Sequence, residues 1–285
     1  MSILSPKLDP QTFNDIYGLI KKNSWLEDLQ SQLIELWNFC EYKEESDLLI
    51  ELIDRFKILD LRDLNELGKN LYEKTVEFNL PVGSTYLTAT AEKGELDGSA
   101  FGLDLIKNKF PSAIGWKTHH FSSNLVDFAH KVPAGSSVIL FDDFIGSGKT
   151  IIRKINYFLN KLKERNIQIK KIYIFSFAAL EEGILNIKSQ HQIEIYVPII
   201  LKKGITDFNN SIDTKKKINT MLNLEKKLKP TFSKLKLEDH SLGYKKSEAL
   251  YTISGKNCPN NVFPIFWWPL DFQNNARSTL FTRLR

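Results

Sequence analysis

The chain has 285 residues, 42% apolar and 26% charged, with 19 Phe, 9 Tyr and 5 Trp. That is enough apolar surface to exclude a disordered polymer and to fill one large domain or two small ones. Two cysteines, Cys40 and Cys258, exclude a disulfide framework and point to a reducing compartment. There is no apolar run of about 18 residues and no basic leader with an apolar stretch behind it, so no membrane contact and a cytoplasmic location are expected. Net charge is only +5, yet residues 1–80 hold 9 basic against 16 acidic residues, and 202–236 hold 10 Lys against 3 acids. One basic surface follows. With 32 Lys to 7 Arg, it suits non-specific attraction of phosphate better than bidentate base readout.

Residues 10–80 read as helices. Leu26, Leu29, Leu33, Leu36 and Trp37 recur at helical spacing, as do Leu48, Leu49, Leu52, Ile53 and Phe56, then Leu61, Leu64, Leu67, Leu71, Thr75 and Phe78. Asn79-Leu80-Pro81 stops the last of them. These stripes are core. From Ser84 the texture changes to strands alternating with helices: strand at 84–91, helix at 99–110, helix at 122–132 with a serine cap, a fully apolar strand at 138–141, helix at 148–165, strand at 171–179, a helical turn at 181–187 and strand at 193–200. Such alternation predicts an α/β fold on a parallel sheet. Residues 202–239 read as a lysine-rich helical insertion, and 240–285 as a tail with Pro259, Pro264 and Pro269 and no helix.

The informative segment is Val138-Ile139-Leu140-Phe141-Asp142-Asp143-Phe144-Ile145-Gly146-Ser147-Gly148-Lys149-Thr150. Its last three residues invite a nucleoside-triphosphate P-loop, but that motif needs glycine at 143, where Asp143 stands. The alternative accommodates the whole segment. A buried strand ends in two carboxylates, and a small-residue loop then opens a helix. Amides of Gly146, Ser147, Gly148, Lys149 and Thr150 at a helix N-terminus can hold a monophosphate. Asp142 and Asp143 can accept hydrogen bonds from the vicinal hydroxyls of a ribose 5-phosphate. A solvent-facing acidic strand end beside an ordinary helix cap is the plain structural alternative.

This segment resembles the phosphoribosyl pyrophosphate (PRPP) motif of type I phosphoribosyltransferases, with Lys149 a departure where family loops carry a small or uncharged residue. The texture along the chain divides it into an N-terminal helical region (1–80), an α/β core (81–201), the insertion (202–239) and the tail (240–285). The resemblance implies a hood over the sheet, for which residues 10–80 and 240–285 are the two candidates, with 240–285 assigned as the C-terminal hood packed on the core. It also implies a pyrophosphate loop after the first strand. Lys93, Gly94, Gly98 and Ser99 are its candidates, with Glu92, Glu95 and Asp97 awkward for an anion unless Mg²⁺ bridges them. A mobile loop is expected at Gly115–Phe121, with Lys117 and His119 as contacts. Adjacent His119 and His120 without further ligands do not make a metal site. No metal is expected to be held by the protein directly; Mg²⁺ comes with PRPP.

The tail, with Leu242-Gly243-Tyr244, Cys258-Pro259-Asn260-Asn261-Val262-Phe263-Pro264-Ile265-Phe266-Trp267-Trp268 and Leu280-Phe281-Thr282-Arg283, resembles that of phosphoribosyltransferase-like effectors of bacterial conflict systems. These include effectors encoded beside retron reverse transcriptases. Asn260, Asn261 and Trp267 are its candidates for an acceptor pocket, against a turn cap and a core ring as the structural alternatives.

Two functions stay open. One is a PRPP-dependent transferase, a toxin or effector in anti-phage defence, passing ribose 5-phosphate to an unidentified nucleobase, nucleotide, nucleic-acid or protein acceptor. The other is a non-catalytic module that senses PRPP or a nucleotide and docks on a partner. In either case the resemblance implies contact between 202–236 and a reverse transcriptase–nucleic-acid complex, and dimers are common in the family. A solvated lysine face is the structural alternative for that segment.

Overall fold

The computed structural model describes residues 9–92 and 98–284. Two compact units form. One holds the chain up to Ile58 together with the chain from Lys203 onward; the other holds Leu59–Lys202. The boundaries differ from the expected ones: the helix at 61–77 goes with the sheet, and the lysine-rich segment and the tail share a unit with the amino-terminal helices.

The first unit opens with α1 (Pro10–Lys22), α2 (Gln30–Asn38) and α3 (Lys43–Asp54), and its first segment ends within the short strand β1 (Lys57–Leu59). Asp9 caps α1, its carboxylate accepting the Thr12 N–H at 2.9 Å, and Pro10 takes the first helical position, where its missing N–H costs nothing. Of the helical stripe expected from Leu26 to Trp37, Leu33, Leu36 and Trp37 lie in α2, while Leu26 and Leu29 lie in a 3₁₀ segment, Ser24–Leu29, that leads into it.

The second unit runs α4 (Leu61–Glu77), β2 (Thr85–Ala89), α5 (Gly98–Lys107), β3 (Phe121–Ser122), α6 (Leu125–Lys131), β4 (Ser137–Ile145), α7 (Lys149–Glu164), β5 (Lys171–Leu180), α8 (Glu181–Gln190), β6 (Glu194–Tyr196) and β7 (Ile199–Leu201). The sheet order is β3-β2-β4-β5-β6, with β7 also on β5, and every pairing is parallel. The expected α/β fold on a parallel sheet is present. Where one strand was expected at 193–200 there are two, because Pro198 has no N–H to give the ladder. The cap of α6 is Asn124, not a serine: its side chain accepts the Asp127 N–H at 2.8 Å.

Helices cover both faces of β4. On one face α5 lies so close that a Cβ added to Gly102 would fall 2.7 Å from the Phe141 ring. On the other, Val138 and Leu140 pack in one cluster with Leu125 and Phe128 of α6, Ile151, Ile155 and Phe158 of α7 and Ile187 of α8. A central strand buried on both faces is why 138–141 is uninterruptedly apolar.

The chain then returns to the first unit with α9 (Ser211–Lys226), β8 (Thr231–Phe232), β9 (Leu235–Lys236) and β10 (Tyr251–Ile253). Here the opposite charges of the two segments meet. The Lys217 ammonium donates to both Glu51 carboxylate oxygens at 2.8 and 2.6 Å, and Lys227 donates to Glu45 at 3.0 Å and to the Phe39 carbonyl at 2.9 Å. Part of the lysine-rich face is therefore spent inside its own unit. No described helix is long and apolar enough to cross a membrane.

Candidate functional site at the carboxyl end of the central strand

β4 does not end at its acids. The β2–β4 register stops at Ala89 opposite Phe141, while β4 stays paired to β5 from Asp142 opposite Ser176 to Ile145 opposite Ala179. After the Thr90 N–H donates to the Phe141 carbonyl at 2.9 Å, β2 leaves the sheet and opens one side of the strand at the two carboxylates. Alternation along a strand sends neighbours to opposite faces. Asp143 shares the α5 face with Phe141: a Cβ added to Gly98 would meet Asp143 Oδ2 at 2.2 Å, just as Gly102, one turn on, meets Phe141. Asp142, 8% exposed, falls on the face of Val138 and Leu140, and its Oδ1 accepts the Asp143 N–H at 3.1 Å.

Gly146, Ser147 and Gly148 link β4 to α7, which packs on the Asp142 face. Gly148 has φ +78°, a conformation that suits glycine, and it starts the helix: the Ile152 N–H returns to its carbonyl at 3.0 Å. The amides of Lys149, Thr150 and Ile151 precede that first intrahelical bond and belong to the open N-terminal turn. Lys149 and Thr150 are exposed, and Ser147 is half-buried.

Sequence reasoning missed the contribution of α8. Gly183 lies against this loop so tightly that its own Cβ would fall 2.0 Å from the Gly146 carbonyl oxygen, and a Cβ on Gly148 would fall 2.6 Å from the Gly183 carbonyl oxygen. Asn186 Nδ2 donates to the Ser147 carbonyl at 3.1 Å. The one local signal was a glycine in the first turn of a helix directly after a buried strand, a position helix propensity disfavours.

Of the expected pyrophosphate loop, Lys93 and Gly94 lie outside the described residues. Gly98 and Ser99 open α5, with Ser99 buried. Glu92 pairs with Arg153 of α7 at 3.2 Å, and the Ala91 carbonyl accepts the Leu125 N–H at 3.1 Å.

Lys117 and His119 are exposed, but their segment approaches the sheet from the other end. It feeds β3 at its start, and the His120 ring lies 5.5 Å from that of Tyr86, which is level with Val138 rather than with Asp142. Trp116 and His120 are buried there. Burial, then the neighbouring His119, holds the His120 imidazole below its ordinary pKa, while its Nδ1 accepts the Lys117 N–H at 2.9 Å.

The tail candidates belong to the other unit. Asn261 is turned inward: its Nδ2 donates to Ser247 Oγ at 3.2 Å, and its carbonyl accepts the Ala249 N–H at 3.0 Å. The Asn260 carbonyl accepts the Tyr244 N–H at 2.8 Å. Trp267 is 1% exposed, with Nε1 donating to the Val262 carbonyl at 2.9 Å and its ring against His240, Trp268 and the Arg283 guanidinium. The structure thus brings 142–150 together with Gly98 and Ser99, and does not bring Lys117 or His119 to that edge.

A parallel α/β sheet with an acid pair and a small-residue loop at the carboxyl end of its central strand is phosphoribosyltransferase-like in architecture. The chain belongs to the PRTase-CE family, whose model matches residues 23–283. No curated protein matches it. Among solved structures, TT1426 from Thermus thermophilus shares 11% identity over 53% of this chain and 88% of its own, with a TM-score of 0.33. AQ2163 from Aquifex aeolicus shares 11% over 70% of this chain and 88% of its own, with a TM-score of 0.34. At these scores neither likeness carries weight for fold or function.

Proposed function

We propose that this phosphoribosyltransferase-like protein transfers the ribose 5-phosphate of PRPP to an acceptor, with release of pyrophosphate, as an effector in a bacterial anti-phage system. The observation that carries the reading is the arrangement around β4: the N-terminal turns of α7 and α5 on opposite faces, with one of the two acids on each. A 5-phosphate at Gly146–Thr150, a diphosphate at Gly98–Ser99 and a ribose across the strand end would use all of these groups at once. The reaction breaks the bond from C1 to the diphosphate oxygen, which leaves with the electron pair as pyrophosphate, and forms a bond from C1 to the acceptor nucleophile, whose proton passes to solvent; positive charge develops at C1 and the ring oxygen on the way. Asp142 and Asp143 accept the ribose hydroxyls, fix the sugar and favour that charge, so positioning and electrostatics carry the catalysis.

The residues at this edge fit Mg²⁺ of the kind held by one or two carboxylates plus substrate phosphates. Asp143 offers hard oxygens there, while Glu92 is paired with Arg153, so the ion would be held mainly by the diphosphate; among the described residues no three His, Cys, Asp or Glu side chains converge to form a cage. When bound, the ion neutralises diphosphate charge. The outward lysines Lys215, Lys216, Lys226 and Lys234 are the residues proposed to meet a reverse transcriptase–nucleic-acid partner, on charge and on the resemblance of the tail.

The test is Mg²⁺-dependent pyrophosphate release from PRPP, with untargeted mass spectrometry of nucleotides, nucleic acid and protein after activation in cells. An acceptor that gains a phosphoribosyl group supports the transferase. PRPP binding with no turnover under any condition replaces it with the sensing reading.

A further inference from the structure

We infer that α8 sets the polarity of the phosphate loop, and that Asn186 is a positioning residue for the 5-phosphate; this rests on the PRPP reading of that loop. Two consecutive loop carbonyls face α8. The Gly146 oxygen lies 2.0 Å from the Cβ position of Gly183 while its carbon lies 3.1 Å away, so the C=O bond points at the helix. The next carbonyl, of Ser147, accepts the Asn186 side-chain N–H at 3.1 Å.

In a trans peptide the N–H points opposite to the C=O of the same plane. With both carbonyls turned toward α8, the Ser147 and Gly148 N–H groups turn away from it together. Successive amides pointing to one side, ending in a left-handed residue, form an anion-binding concavity. Gly148 supplies that residue with φ +78°, and the first amides of α7 extend the row.

Without a donor at 186, the Ser147–Gly148 peptide loses what holds its carbonyl outward. A flip would aim a carbonyl oxygen at the phosphate in place of an N–H. Gly183 does the same for the preceding peptide by shape: only a residue without Cβ leaves room for the Gly146 carbonyl. Neither residue touches the ligand; both act through the loop.

The experiment titrates the full chain calorimetrically with ribose 5-phosphate and with pyrophosphate. In parallel, the Gly148 amide resonance of ¹⁵N-labelled protein is followed as inorganic phosphate is added. Asn186→Ala removes the donor. Asn186→Asp keeps the volume and sets a carboxylate against the carbonyl, so the pair stays informative if one variant folds poorly. Both are expected to bind ribose 5-phosphate at least about tenfold more weakly, the scale of about 1.4 kcal/mol or one charge-assisted hydrogen bond. Pyrophosphate affinity and the unliganded melting midpoint stay near wild type, and the Gly148 amide no longer responds to phosphate.

Wild-type protein that binds ribose 5-phosphate, alongside variants that bind it equally well with a responsive Gly148 amide, overturns the positioning role alone. Parallel loss of ribose 5-phosphate and pyrophosphate binding with a lowered midpoint also overturns it, in favour of a purely structural contact. Wild-type protein with no affinity for ribose 5-phosphate brings down the PRPP reading itself.

Discussion

The carboxylate of Asp143 lies flat against the backbone of Gly98: a Cβ on that glycine would sit 2.2 Å from Oδ2, 2.6 Å from Cγ and 2.8 Å from Oδ1. The contact holds one acid of the central strand at the N-terminus of α5, where the positive end of the helix favours negative charge. Gly98→Ala must therefore move the carboxylate. Misplacing a positioning group by about 1 Å can cost roughly a hundredfold in rate, and a loss of that order in PRPP turnover is expected. Because the residue opens its helix, the melting midpoint should change little. Steady-state kinetics beside a thermal melt checks both.

The loop amides, rather than the Lys149 ammonium, should carry phosphate affinity. Gly148→Val places a β-branched side chain at φ +78° and against the Gly183 carbonyl oxygen at 2.6 Å. Left-handed strain of about 1–2 kcal/mol and overpacking of about 1–3 kcal/mol are expected together, with loss of ribose 5-phosphate binding. Lys149→Ala removes an exposed cation and should weaken binding only modestly. Calorimetry on the two variants checks the order; the reverse order would assign phosphate binding to the lysine.

Stability should fall as pH rises toward neutrality through Glu225. This side chain is 3% exposed and accepts from Ser241 Oγ at 2.5 Å and from the Leu242 N–H at 2.9 Å. Burial outweighs those bonds and pushes its pKa from 4.5 to about 7. The folded state then holds the proton more tightly than the unfolded chain. The contribution is complete below pH 4.5 and is lost as pH rises through about 7, a change of roughly 3 kcal/mol at about 1.4 kcal/mol per unit. Glu225→Gln should flatten that part of a denaturant-midpoint profile against pH.

The Lys227 ammonium serves a carboxylate that is almost out of water: the Glu45 side chain is 4% exposed, and the pair lies at 3.0 Å. Lys227→Ala leaves that charge with the Glu41 N–H at 2.7 Å but without its cation, a loss of about 3 kcal/mol. Removing exposed Lys216 should cost under about 0.5 kcal/mol. Urea melts of the two variants check the difference.

The strand, acid pair, loop and helix of 138–150 were legible because they are contiguous and each step changes residue class. What the sequence hid is non-local. Gly183 and Asn186 reach the loop only through the return of β5 and α8, and no spacing in the chain links them to Gly146–Gly148. The lysines of 202–236 read as one basic surface, yet Lys217 and Lys227 turn inward to Glu51 and Glu45, acids more than 160 positions earlier. In the tail, Pro259-Asn260-Asn261 ahead of an aromatic run reads equally as a binding tip or a turn. Burial of Asn261 and Trp267 depends on the 240–249 segment folding over them. The apolar run at 193–200 hid a break at Pro198 because its neighbours are all strand formers.

The central claim is that the carboxyl end of β4 binds PRPP, and a thermal shift with Mg²⁺-PRPP tests it most directly. A ligand at about 100 times its dissociation constant adds roughly 2.7 kcal/mol, and for a chain of this size the melting midpoint should rise by several degrees. Asp142→Asn combined with Asp143→Asn should keep the fold and lose most of that shift. A double variant that shifts as far as wild type would contradict the ribose assignment, and a larger shift with ATP than with PRPP would contradict the account as a whole.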